Sequence, residues 1–334
     1  MDWNKGYSAR YYISVIDRKT LRDIRRIEIT DGSIKREDRS LRESANLECV
    51  NYDGTTEELI RVWLDARQEG DSSHIPLFTG IATSPGKKID GRFITNTVEC
   101  YSILKIVEDM LLPRGWYAPK GMNSGDLISN LLSPLPVHIS IDKNSPGIDS
   151  SIIAEDGENR LSMTDKILDL MQWRMRIDGR GDIFVEPFPD TISAEFDSLN
   201  NDILEPSLTV QYDWYECPNV YRAVLDNSYA IARDDSPDSP LSTVNRGREV
   251  WYEDSSVYLQ ENQSLAQYAQ EMLAEAQRPA LTISYDRRFH PDVGMDDLVR
   301  LNYPAQEISG IFLVTSQTIN LGYNAKTSEE VVQV

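Results

Sequence analysis

The stretch "IPLFTGIATSPGKKIDGRFITNTVECYS", Ile75–Ser102, decides how the first third of the chain is read. Two alternating segments, "IPLFTGIATS" and "RFITNTVECYS", flank the turn-rich "PGKKIDG". That pattern predicts a β-hairpin with Ile94, Val98 and Cys100 pointing inward. Working towards the N-terminus, "ELIRVWLDA" (Glu58–Ala66) puts Ile60, Val62 and Leu64 on one strand face and Arg61 and Asp65 on the other. "SANLECVNYDG" (Ser44–Gly54), "RRIEITDG" (Arg25–Gly32) and "YYISVID" (Tyr11–Asp17) repeat the alternation and end in turn residues. So many short strands in about a hundred residues predict a barrel or a sandwich.

Downstream of Tyr101 the period changes. "YSILKIVEDMLLP" places Ile103, Leu104, Val107, Met110 and Leu111 on a helical stripe that stops at Pro113. "NSGDLISNLL" reads as a short helix capped by Ser124. "SMTDKILDLMQWRMRIDGRGDIFVEPF" reads as a helix with Ile167, Leu168 and Met171 buried, then a hairpin whose turn is flanked by Gly179 and Gly181. The middle of the chain is thus a small α+β segment.

From Ile203 strands return in "SLTVQYDWYECPNVYRAVLD" and "YAIARDDS". A loop follows at Asp234–Arg248, where Pro237 and Pro240 bar regular structure. In "SLAQYAQEMLAEAQRP", Ser264 and Gln267 form a capping box. Leu265, Ala269, Met272, Leu273 and Ala276 line one face, and Pro279 lies past the end. "LTISYDRR", "DLVRLNYP" and "GIFLVTSQTINLGY" are three further strands. The last echoes "GRFITNTVECYS", since both begin Gly-x-Phe-aliphatic and then alternate.

The chain has 334 residues and 40% apolar content, enough to fill more than one core. Its formal charge of −20 repels nucleic acid phosphates and anionic lipid heads. Cys49, Cys100 and Cys217 are far apart and form no CxxC pair, so neither a disulfide framework nor a zinc knuckle is predicted. No apolar run approaches the roughly 18 residues of a membrane span, and the N-terminus lacks a signal-peptide pattern. The expectation is a protein that folds in a cytoplasm without membrane insertion.

Three constellations invite a chemical reading. His290, Asp292, Asp296 and Asp297 fall together in "RRFHPDVGMDDLVRLNYP", but Pro291 favours an extended backbone and Gly294 a turn. Val299 and Leu301 then alternate with Arg300 and Asn302, so a turn leading into a strand is the better account. The other histidines, His74 and His138, lie in unrelated segments. Asp234, Asp235 and Asp238 lack the glycine and terminal glutamate of a calcium loop. Tyr212, Trp214, Tyr215 and Tyr221 suit a core or interface, with stacking on sugars or bases as the alternative. Since no nucleophile elbow, phosphate loop or zinc-protease motif occurs, no catalytic, metal or cofactor-binding residue is named, and no cofactor is expected.

Taken in order, "REDRSLRESANLECVNYDG", "EELIRVWLDA" and "IPLFTGIATSPGKKIDGRFITNTVECYSILKIVED" resemble the first β domain of phage baseplate hub proteins. "SMTDKILDLMQWRMRIDGRGDIFVEPF" resembles their helix–hairpin segment. "CPNVYRAV", "DSPDSPLSTVNRGR", the helix at Ser264–Gln277, "HPDVGMDDLVRLNYP" and "GIFLVTSQTINL" resemble their second β domain. The resemblance covers nearly the whole chain.

What it implies is an α+β, mainly β fold with two similar β-barrel domains and a small α+β domain between them. The implied divisions are 1–110, 111–202 and 203–334, the last carrying an inserted loop and helix at about 236–279. The implied role is a homotrimer whose six barrels form a ring between a sixfold tail tube and a threefold tip. Its implied partners are a tail tube or distal tail protein, a spike or tail-tip protein, a tape measure protein and other baseplate proteins. The resemblance implies no specific nucleic acid binding, with the lumen as a passage for DNA. The implied location is the tail of a virion or phage-like particle, such as a tail-like bacteriocin, after synthesis in the bacterial cytoplasm. Asp234–Arg248 is a candidate interface segment. The chain stops soon after its last strand, so the wall hydrolase that some such tip proteins carry is not placed on it. The competing readings are a tail-associated wall-degrading enzyme and a carbohydrate-binding β module built on Trp214.

Overall fold

The alternation in the first hundred residues produces strands that close a circuit. They are β1 (Ser8–Ile16), β2 (Asp23–Glu37), β3 (Glu43–Cys49), β4 (Glu58–Gln68), β5 (Asp71–Asp90) and β6 (Phe93–Ser102). Antiparallel pairing runs β1–β4–β5–β6–β3–β2 and returns from β2 to β1. Ile13, Ile34, Leu47, Ile60, Val62, Leu64, Phe78, Val98 and Cys100 fill one core. The computed structural model describes residues 1–3, 5–37, 41–52, 54, 56–91, 93–148, 150–198, 208–212, 214–215, 217–225, 228–255, 257, 259, 263–277, 281–322 and 325–334. Ile203 and Pro279, both used in the sequence reading, lie outside them.

Two expectations for this segment change. Strand β2 does not end at Gly32 but continues to Glu37. Gly32 is needed there because a Cβ would stand 2.5 Å from the Asn46 carbonyl oxygen of the neighbouring strand. "PGKKIDG" is not a loop either, since β5 runs through it and turns only at Gly91, which has φ +58°. A register shift near Ala82–Ser84 carries the outer half of the hairpin beyond the core, so Ile94 is exposed while Val98 and Cys100 are buried.

The middle segment consists of α1 (Lys105–Glu108), β7 (Tyr117–Ala118), α2 (Ser124–Leu132), β8 (Ile139–Ile141), β9 (Ile152–Ile153), α3 (Arg160–Met171), β10 (Trp173–Ile177) and β11 (Ile183–Pro187). The expected helix after Tyr101 is a single turn. Leu112 N donates to the Glu158 carbonyl at 2.8 Å, which draws the chain out of helical geometry and leaves Met110 and Leu111 exposed. The cap of α2 is Asn123, whose side chain accepts from Asp126 N at 3.0 Å; Ser124 instead donates to the Pro146 carbonyl. Ile167 and Leu168 are buried as expected, in a core that also takes Ile16, Leu59 and Ile81 from the outside of the first strands. That shared core joins the middle segment to the circuit.

The remaining strands are β12 (Ile192–Asp197), β13 (Thr209–Tyr212), β14 (Val220–Leu225), β15 (Ser228–Arg233), β16 (Trp251–Asp254), β17 (Leu281–Arg287), β18 (Leu298–Tyr303), β19 (Ile308–Leu321) and β20 (Thr327–Gln333), with helices α4 (Thr243–Arg246) and α5 (Leu265–Ala276). Residues 1–208 and 284–332 form one compact unit, and 209–283 a second. This partition cuts the chain differently from the three expected segments. The reason is β19: its first half pairs with β18 and its second half with β2, so the last strands extend the first sheet. β12 adds in parallel to β18.

In the second unit, β14 lies between β15 and β16. Helix α5 covers one sheet face, with Ala269 and Leu273 against Tyr221, Ala223 and Ala232. Its expected capping box is present: Ser264 Oγ accepts from Gln267 N, and the Gln267 side chain accepts from Ser264 N.

Candidate functional site

Within the first unit, a cleft of about 450 Å³ is lined by Arg36 and Glu43, by Pro76 and Leu77 on β5, by Arg174 on β10, and by the loop from Phe289 to Asp297. Long strands bring these distant positions together. Arg36 ends the part of β2 that pairs with both β3 and β19. Arg174 faces inward from the hairpin that follows α3.

Every nitrogen of Arg36 is engaged. Nε donates to Glu43 Oε1 at 2.8 Å, Nη1 to Gln317 Oε1 at 2.9 Å, and Nη2 to the Leu77 carbonyl at 2.6 Å. Gln317 Nε2 in turn donates to Glu329 Oε1 at 2.6 Å and to the Val293 carbonyl at 2.9 Å. Glu329 accepts both Nε, at 2.7 Å, and Nη2 of Arg287. A buried polar chain thus runs Glu43–Arg36–Gln317–Glu329–Arg287 across β3, β2, β19, β20 and β17. Arg174 makes a parallel clamp, binding Glu186 at 2.8 Å, Asp297 at 3.1 Å and the Asp296 carbonyl at 2.7 Å.

Glu43 is the chemically distinctive member. Burial pushes its carboxyl up to about 7, against the Arg36 charge that pulls it down, with Asp178 adding a smaller upward push. A carboxyl poised near neutrality suits general acid–base work. Here, however, its side chain is only 4% exposed, one oxygen is bound to Arg36, and the other is buried with no partner among the described residues. The arrangement is a polar clamp between the first and last strands. No group of three or more metal-ligating side chains occurs among the described residues.

The β10–β11 hairpin is fastened on a second side. Thr79 Oγ1 donates to the Gly179 carbonyl at 2.8 Å, and Arg61 Nη2 to the Arg180 carbonyl at 3.1 Å. Arg61 is therefore nearly buried, although alternation alone assigns its face to solvent. A Cβ on Gly179 would stand 1.9 Å from the Pro76 carbonyl oxygen. Gly179→Ala is expected to lower stability by about 1–3 kcal/mol through overpacking. A matching fall in the urea midpoint checks this, and an unchanged midpoint refutes the fit.

The sequence candidates fall as follows. In the loop after β17, Asp292 N donates to His290 Nδ1 at 3.3 Å, and Asp297 is taken by Arg174 and by Gly294 N. The positive φ lies at Asp296 (+60°), not at Gly294. Val299 and Leu301 are buried while Arg300 and Asn302 are exposed, so this stretch turns a strand. His74 sits elsewhere, stacked on Trp63 at 4.1 Å with Nδ1 2.6 Å from Asp65 Oδ1. His138 offers its backbone N–H to Asp182.

In the second unit, Asp234 and Asp235 serve the loop itself. Asp234 accepts from Ser236 N and Gln277 Nε2, and Asp235 from Arg233 and Thr243. Tyr221 is buried and donates to Asp254 at 3.0 Å, whereas Tyr212, Trp214 and Tyr215 are exposed. The sequence reading missed the buried chain. Its signal was Arg287 sharing a strand face with Ile283 and Tyr285, and Glu329 one with Thr327 and Val331.

These strands and this clamp define a mainly β protein with a small α+β segment between its first and last strands. No protein-family model matches the chain, and neither does any curated protein. Solved structures do match. A 43 kDa tail protein of prophage MuSo2 from Shewanella oneidensis aligns with TM-score 0.70 and 12% identity, covering 98% of each chain. A tail protein from Neisseria meningitidis MC58 aligns with TM-score 0.69 and 15% identity over 97% of this chain and 96% of its own. A prophage tail protein from Listeria monocytogenes EGD-e gives 0.55 and 10%, over 97% and 94%. The chain has the fold of phage tail proteins, and the resemblance read from its sequence holds at that level.

Proposed function

We propose that the chain is a structural hub subunit of a phage-like tail. Three copies form a ring of pseudo-sixfold character around a central channel, joining a sixfold tail tube to a threefold tip or spike. The observation that carries this reading is the end-to-end similarity of fold to phage tail proteins, over nearly the full length of both chains. On this reading the β1–β6 circuit is one tube-docking lobe and the strands of 203–334 build the second, with 111–202 between them. Two quasi-equivalent lobes in each of three subunits match six repeats on one side and three on the other.

The partners are a tail tube or distal tail protein, a tip or spike protein, a tape measure protein and baseplate neighbours, in the tail of a virion or phage-like particle. Part of the −20 charge faces the channel and keeps DNA phosphates from sticking. The role is geometric and not enzymatic. Native mass spectrometry of the full chain is expected to give a species of three times 38.0 kDa. Incubation with peptidoglycan is expected to release no soluble fragments. A chain that stays monomeric at every concentration, or one that solubilises the wall, overturns the proposal.

A second reading, a carbohydrate-binding module, is favoured only by the exposed Tyr212, Trp214 and Tyr215. Glycan-array binding that is lost in Trp214→Ala would support it.

A further inference from the structure

The β5–β6 hairpin is longer than the circuit it belongs to. β5 pairs with β4 only as far as Ala82, and β6 pairs with β3 only as far as Asn96. Beyond those points the two strands pair with each other alone, through Lys87↔Asn96, Lys88↔Thr95, Ile89↔Ile94 and Asp90↔Phe93. The result is a two-stranded arm with no third strand beside its outer end among the described residues.

Such a ribbon is marginal in water without a surface to lie on. Its outer end carries a directly opposed apolar pair, with Ile89 69% and Ile94 59% exposed. Paired β-branched side chains at an exposed tip gain nothing from facing solvent and gain much from burial. The charge of the arm also runs against that of the molecule. Residues 84–95 include Lys87, Lys88 and Arg92 against Asp90 alone, in a chain of formal charge −20. A basic, apolar-tipped ribbon on a strongly acidic protein is complementary to the surface of another copy of the same protein.

We propose that this arm is an assembly element that lays its Ile89–Ile94 pair and basic tip on an acidic, partly apolar surface of a second copy of this chain. The inference rests on the self-association proposed above and names the element that drives it.

The test uses the full chain in analytical ultracentrifugation, comparing wild type with three variants. One is Ile89→Asn with Ile94→Asn. The second is Lys87→Glu, Lys88→Glu and Arg92→Glu. The third replaces residues 88–95 by Asn-Gly, closing the hairpin at the Lys87–Asn96 pair. All three are expected to keep the wild-type far-ultraviolet circular dichroism and to associate at least about 30-fold more weakly. Wild-type association is expected to weaken as salt rises from about 0.05 to about 0.5 M.

If the isoleucine variant fails to fold, the closed-arm variant decides, because it removes only residues outside the pairing with β3 and β4. Wild-type trimers matched by equally stable trimers of all the variants would sink this inference and leave the hub reading standing. A wild-type chain that never associates would sink both.

Discussion

Glu329→Ala is expected to remove about 3–5 kcal/mol of stability, the largest loss from any single change considered for this protein. The Arg287 and Glu329 side chains are 1% and 0% exposed, and the Arg287 guanidinium is held by both carboxylate oxygens. Removing the carboxylate leaves a fully buried cation, whose desolvation is no longer offset by its partner. Gln317 Nε2 also loses one of its two acceptors. A domain's whole stability is only about 5–15 kcal/mol, so the variant should be poorly folded at physiological temperature.

The paired replacement Arg287→Met with Glu329→Leu separates charge from packing. It removes the desolvation cost on both sides and is expected to recover most of the loss, leaving about 1–3 kcal/mol for the Gln317 amide, which keeps Val293 but loses its carboxylate acceptor. Urea denaturation followed by tryptophan fluorescence measures both variants. If Glu329→Ala shifts the midpoint no more than an exposed glutamate does, the buried pair is not what holds β17, β19 and β20 together.

The second expected result concerns pH. The Glu43 carboxyl is raised from its ordinary 4.5 to about 7 by burial in the folded state. A raised acid binds its proton more tightly when folded than when unfolded. Its contribution is therefore fully present below pH 4.5 and is lost as pH rises through about 7. Across that window wild-type stability should fall by about 3 kcal/mol on account of this group, at about 1.4 kcal/mol per pH unit. Glu43→Gln cannot titrate and should flatten the slope. Urea midpoints at several pH values between those limits decide the matter, and equal slopes in the two proteins would mean that Glu43 is not the titrating group.

Much of the fold was legible because a half-buried strand writes its register into the sequence. Ile60, Val62 and Leu64 are completely buried where alternation put them, and Val299 and Leu301 likewise. The capping box at Ser264 and Gln267 was legible for a similar reason, since it is a contact between residues three apart. Even the composite nature of β19 has a trace: Phe312 and Val314 are buried in one phase, and Ile319 and Leu321 in the other. The phase changes where pairing passes from β18 to β2.

The failures share a cause as well. Met110 and Leu111 continue a helical stripe in sequence, but a hydrogen bond from Leu112 to Glu158 draws the backbone elsewhere. Ile94 looked inward by alternation, and its hairpin outruns the circuit that would have covered it. Arg61 looked outward, and a hairpin more than a hundred residues later covers it.

By itself the sequence determined that the chain is mainly β, where the helix Leu265–Ala276 begins, and that its histidines lie in unrelated segments. Local periodicity and capping govern all of these, and both act within a few residues. Only the tertiary structure decided that β2 pairs with β1, β3 and β19, that Glu43, Arg36, Gln317, Glu329 and Arg287 form one buried chain, and that the β5–β6 arm outruns its pairing with β4 and β3. Those features depend on which distant strands become neighbours, and desolvation acts on side chains only after that pairing is complete.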